Sequence, residues 1–172
     1  MTSGIQVNDN VKTYFEKMKV NKTNDNSDKR IRLVTCTIQN DEINVDKVFT
    51  QDMLGKDGVP EDAYLVLVSL LHDNACFYLM YDCHLETKEG IKKEELVFGT
   101  WIPEDIAVKQ KMTYASSKQN VKNACKGVKH DVSVNDRATI MPREAFADCL
   151  ERLTPAIVSL EGVLLSGGGA KK

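Results

Sequence analysis

Residues 109–131 read KQKMTYASSKQNVKNACKGVKHD, a lysine-rich amphipathic run with one methionine out of place. Taking roughly 100° per residue and Lys109 as origin, a helix over 106–128 gathers Ile106, Tyr114, Val121, Ala124, Cys125 and Val128 between roughly 60° and 160°. That stripe has the width of a core-facing side. Met112 falls near ~300°, almost opposite, with Ser116, Gln119 and Asn123 on its side and Lys109 and Lys111 at its edges. Lys111, Lys118, Lys122, Lys126 and Lys129 form a basic ridge within roughly 180–260°. Ser116 and Ser117 can bend or break such a helix, which leaves the register beyond them open. Met112 and Lys109 precede that point, so their relation holds either way. Two readings of Met112 stand: a solitary exposed methionine on a solvated face, or an apolar side chain offered to a partner's groove and oriented by charges around it.

Outward from this run, helical and strand patterns interleave. Residues 8–20 place Val11, Phe15 and Met18 at helical spacing behind Asn8 or Asp9 as N-cap. NKTNDNSDKR (21–30) is a polar loop, and 30–39 with 42–50 read as a hairpin turning at Asn40 and Asp41. GKDGVP (55–60) is a turn cluster. EDAYLVLVSLL (61–71) is ambiguous: its composition favours a strand, whereas Pro60, Glu61 and Asp62 resemble a helix first turn. CFYLMYDCHLET (76–87) alternates, with Phe77, Leu79, Tyr81, Cys83 and Leu85 on one face. KEGIKK is a turn; ELVFGTW (95–101) is a strand with an unexpected Gly99; Pro103 opens the long helix. Strand returns at 128–134, helix at 141–153 and a closing strand at 156–165, before the Gly-rich SGGGAKK. The expected fold is α/β (α+β), one domain over 4–165 with a mixed sheet flanked by helices on both faces, and a flexible tail over 166–172.

With 172 residues, one domain is expected. The hydrophobic (42%) and charged (28%) fractions suit a soluble globular protein, and a net charge of −2 argues against non-specific DNA binding by the whole molecule. Five scattered cysteines and a start, MTSGIQVNDN, without charged or apolar leader regions point to free thiols in an intracellular protein. No apolar run approaches the ~18 residues of a membrane span. Nucleotide-binding glycine loops and a serine-nucleophile elbow are missing from the sequence. His72, His84 and His130 lack metal-ligand spacing, and Cys83 and His84 point to opposite strand faces. Neither a cofactor nor a metal is expected, and the chain does not read as an enzyme.

The opening run resembles the actin-depolymerising factor (ADF)/cofilin family, whose pattern there is close to KSKMIYASSK followed by GIKHE. MTSG, VNDNVKTYFEKMKV, YDCHLETKEGIKKEELVF, W-x-PE at 101–104 and SLEG at 159–162 follow in family order, with 21–60 and 132–158 the weakest stretches. The resemblance implies the ADF-homology fold, a helix at 61–71, and a non-enzymatic, monomeric protein that binds actin monomers and filaments, favours ADP-actin, and severs and depolymerises filaments. It implies actin contacts at Ser3, Gly4, Lys109, Lys111 and Met112, and a filament-only surface at Lys93, Glu95, Arg143 and Glu144. Lys129 and His130 match the pair linked to inhibition by phosphatidylinositol bisphosphate and to pH response, with Glu95 as the histidine's partner. Ser3 matches a regulatory serine phosphorylated by a LIM-type kinase; a phosphate there adds about −1.5 to −2 charges beside the binding helix.

Departures accompany the resemblance. Lys29, Arg30 and Arg32 are a thin remnant of the family's basic nuclear import signal, so cytoplasm and actin-rich cortex are the expected location. Asn123 and Ala124 thin the lysine run after YASSK, which implies weaker lipid binding. Gly99 and Thr100 replace large apolar residues and imply lower stability. Two alternatives remain: a monomer-sequestering or filament-side binder of the same fold, and a phosphoinositide-responsive membrane-surface protein.

Overall fold

The computed structural model describes residues 4–20 and 30–165. Ser3, the polar loop over 21–29 with Lys29, and the tail over 166–172 lie outside the described residues. Chain order is β1 (Gln6–Val7), α1 (Asp9–Val20), β2 (Ile31–Gln39), β3 (Glu42–Thr50), α2 (Ala63–Ser69), β4 (Phe77–Thr87), β5 (Lys92–Trp101), α3 (Val108–Ala124), β6 (His130–Val134), α4 (Arg143–Leu150), β7 (Ile157–Leu160) and β8 (Val163–Leu164). The strands form one mixed sheet in the order β1-β3-β2-β4-β5-β6, with β7 on β4 and β8 on β7. β1 with β3 and β5 with β6 are parallel; the other pairs are antiparallel.

The period-two pattern of β4 divides the interior into two cores. Phe77, Leu79, Tyr81, Cys83 and Leu85 enter one, with Ala63, Tyr64, Val66 and Leu67 of α2 and Phe146 and Leu150 of α4. Tyr78 and Met80 enter the other, with Val11, Phe15 and Met18 of α1 and Tyr114 and Val121 of α3. Local chemistry sets the boundaries. The Asn8 side chain accepts from Asn10 N at 2.9 Å and caps α1. Asn40 and Asp41, at φ 53° and 60°, close the β2–β3 hairpin as a two-residue turn that needs left-handed backbone at both positions.

The ambiguous 61–71 segment is helical over Ala63–Ser69. Asp62 decides it, accepting from Leu65 N at 2.9 Å and so satisfying an otherwise orphan donor. Expected boundaries differ at several elements: the helix expected over 106–128 ends at Ala124, leaving Lys126, Val128 and Lys129 beyond it, and the helix expected over 141–153 spans Arg143–Leu150. The long helix starts at Val108, not Pro103, because extended Ala107 (φ −57°, ψ 140°) separates it from the turn over 103–106. The closing strand over 156–165 is a hairpin: Glu161 and Gly162, at φ 53° and 80°, fold β8 back on β7. The Glu161 carboxylate is fixed there by Arg32 Nη2 at 2.6 Å and the Tyr81 hydroxyl at 2.5 Å. Ser116 and Ser117 do not break α3, and Ser117 is buried in it. At Gly99 a Cβ would stand 2.9 Å from Leu79 Cγ. The glycine makes room for the leucine.

Candidate actin-binding face and the Glu95 cluster

α3 is anchored on one side only. Tyr114 is buried; its hydroxyl accepts from Ile38 N of β2 at 2.9 Å, and its carbonyl accepts the Tyr78 hydroxyl. Val121 and, just past the helix, Cys125 complete the buried stripe. Asn120 Nδ2 donates to Ile5 O at 2.9 Å, tying the N-terminal segment alongside the helix. Gly4, exposed and at φ 82°, therefore lies next to a residue tethered to α3.

The opposite side of the first turns is apolar and bare. Met112 is 66% exposed and Val108, four residues earlier, 68% exposed. Residues four apart share a helix face, so these side chains make one patch. Lys109 is exposed beside it, and half-buried Lys111 also borders a cleft of about 330 Å³ between α3 and the ends of β5 and β6, with Ile102, Ala115 and Val134. The sequence reading found Met112 but missed Val108, although the four-residue spacing was the available signal.

A second cluster centres on Glu95 of β5. Its carboxylate lies 2.7 Å from His130 Nε2 and 2.9 Å from Lys129 Nζ, and accepts the Thr154 hydroxyl at 2.5 Å. The expected histidine–carboxylate pair is thus present, and Thr154, unforeseen from sequence, completes it. Parallel pairing brings it about: Val97 of β5 is in register with His130, and the chain before β6 carries Lys129 past Leu96. Burial alone would raise the Glu95 carboxyl; the hydrogen bonds from Thr154, His130 and Lys129 outweigh it and hold the group at about 2.

The filament-surface residues are not equivalent in space. Glu95 is buried and committed to the cluster just described. Lys93, two residues earlier on β5, and Glu144 on α4 are half-buried. Arg143 pairs with Asp62 at 2.8 Å and lies over the Tyr64 ring at 4.7 Å, joining α4 to the α2 cap. Arg30 and Arg32 of the basic remnant are also turned inward: Arg30 bonds Asp82 at 2.9 Å and Glu94 at 2.8 Å, while Arg32 reaches Glu161. Cys83 is fully buried, and burial pushes its thiol up, which is the wrong direction for a nucleophile. No described helix is long and apolar enough to cross a membrane.

A model of the cofilin/tropomyosin-type actin-binding proteins matches residues 4–149. The chain belongs to this family. Among the described residues its fold, a mixed sheet of eight strands with four α-helices, is that of the family's solved structures. Actin depolymerization factor 2 of Plasmodium berghei matches with a TM-score of 0.69 and 22% identity, over 88% of this chain and 99% of that one. The ADF-like UNC-60A protein of Caenorhabditis elegans matches at 0.67 and 23%, over 87% and 96%. Human coactosin-like protein shares the fold at 0.65 with only 13% identity, over 91% and 94%. For this ADF/cofilin-family chain, family and fold indicate actin binding as a regulator of actin rather than catalysis, and association with the cytoskeleton.

Proposed function

We propose that this protein binds actin monomers and filaments through α3, and severs and depolymerises filaments, with residues 4–165 as the actin-binding domain. The supporting observation is the bare Val108–Met112 pair on a helix whose other side is fully anchored. A flexible thioether beside a β-branched residue fills an apolar cleft, while Lys109 and Lys111 orient it against acidic groups. Gly4 precedes Ile5, which is tied to Asn120 of α3, and phosphorylation of Ser3 by a LIM-type kinase adds negative charge that opposes docking on an acidic partner. The domain acts as a monomer in the cytoplasm and cell cortex and favours ADP-actin. Phosphatidylinositol bisphosphate inhibits it by engaging Lys129 and the neighbouring ridge, where Glu95 fixes Lys129 and His130 side by side.

One observation favours a second reading, a monomer-sequestering protein. Glu95 and Arg143, half of the expected filament surface, are held in internal ion pairs. Filament co-sedimentation with a severing assay decides between them. Severing predicts filament fragmentation by the wild type and, for Lys93→Ala, weakened filament binding with monomer binding kept. Monomer binding without filament binding would establish the sequestering alternative, and no binding to either form by folded protein would refute both.

A further inference from the structure

The basic ridge of lysines on and beyond α3 is less available than its composition suggests. Lys122 Nζ lies 2.7 Å and Lys118 Nζ 3.2 Å from the Asp131 carboxylate, and Lys118 also donates to Ser133 Oγ at 2.8 Å. Lys129 is held by Glu95. Asp131 stands on the outer face of β6 between buried His130 and Val132, so strand alternation aims it at α3. Lys118 and Lys122 are four residues apart on one helix face, and a single carboxylate bridges both. Burial would raise the Asp131 carboxyl; hydrogen bonds from Lys122 and Lys118 outweigh that and keep it ionised.

We propose that Asp131 is an internal counter-ion that withholds Lys118 and Lys122 from an anionic lipid surface, and so sets how strongly a phosphoinositide-bearing membrane competes for this side of α3. The proposal rests on the phosphoinositide inhibition given above and names the residue that regulates it. A lipid headgroup must displace a carboxylate already within hydrogen-bond reach of both ammonium groups, and must then face that carboxylate unpaired. The ridge therefore binds lipid more weakly than its count of lysines implies. Removing the counter-ion leaves one more net positive charge at the surface, about a fivefold gain in affinity for an anionic leaflet.

The test is sedimentation of the full chain with phosphatidylcholine vesicles, with and without phosphatidylinositol bisphosphate, over a range of salt. Asp131→Asn is compared with Glu89→Gln, which makes the same charge change in the exposed turn between β4 and β5. The expected results are about fivefold tighter binding to the bisphosphate vesicles for Asp131→Asn, a change below about twofold for Glu89→Gln, and a steeper loss with salt. Adding Lys118→Gln and Lys122→Gln should abolish the gain. Equal gains for Asp131→Asn and Glu89→Gln, or a gain that survives loss of both lysines, overturn the proposal. Binding by Asp131→Asn but not by the wild type upholds the counter-ion and ends the inhibitory role of the lipid. Binding by neither overturns both. Asp131→Ser removes the same charge and provides a second test if Asp131→Asn melts early.

Discussion

Glu95→Gln tests the ionic junction between β5, β6 and the segment after α4. In the folded protein the carboxyl is held at about 2, against an ordinary 4.5. At about 1.4 kcal/mol per pH unit, that difference amounts to about 3 kcal/mol of stability from the ionised form. The group is depressed on folding, so its contribution is complete above about pH 4.5 and fades as the pH falls towards about 2. Glutamine keeps the shape and one acceptor but has no charge for Lys129 and His130. Urea denaturation from pH 7 downwards should show the variant about 2–3 kcal/mol less stable near neutrality, the gap closing through the acidic window. The other depressed carboxylates, Asp82 and Asp131, act with the same sign in both proteins and cancel in the difference. A gap independent of pH, or a variant as stable as the wild type at pH 7, would refute the reasoning.

Gly99→Ala sets two effects against each other. Strand backbone gains about 0.5–1 kcal/mol from losing a glycine, whereas a Cβ placed 2.9 Å from Leu79 Cγ overpacks the core at a cost of about 1–3 kcal/mol. A net loss of about 1 kcal/mol in urea melts is expected, reversed in sign in a Leu79→Ala background. Asp62→Ala removes the α2 cap and leaves Arg143 unpaired, so a loss of about 1–2 kcal/mol is expected; a change within error would deny the cap its role in making 63–69 helical.

Much of this was legible because side-chain period and turn chemistry are local. Asn40–Asp41, the alternation of β4 and the core stripe of α1 each carry their structure in neighbouring residues. The residues of 61–71 alone left strand and helix open, because apolar residues suit either; the family resemblance implied the helix, and the Asp62 hydrogen bond is the local reason for it. The β7–β8 turn was missed for a non-local reason: Glu161 is held by Arg32 and Tyr81, far away in sequence. The candidate site divides the same way. Met112 emerged from a wheel, and His130–Glu95 from the family pattern. The bonds that occupy Glu95, Arg143, Lys118 and Lys122 depend on which strands and helices become neighbours, which no single segment records.

The central claim is that the bare end of α3 is the actin contact. Full burial of a methionine side chain is worth about 1.5–3 kcal/mol. With 66% of Met112 exposed in the free protein, docking gains about 1–2 kcal/mol from it. The decisive measurement is the affinity of wild type and Met112→Ala for ADP-actin monomers, with thermal melts of both. Binding weaker by about 5- to 30-fold with unchanged melting is the predicted result; equal affinities would contradict the claim.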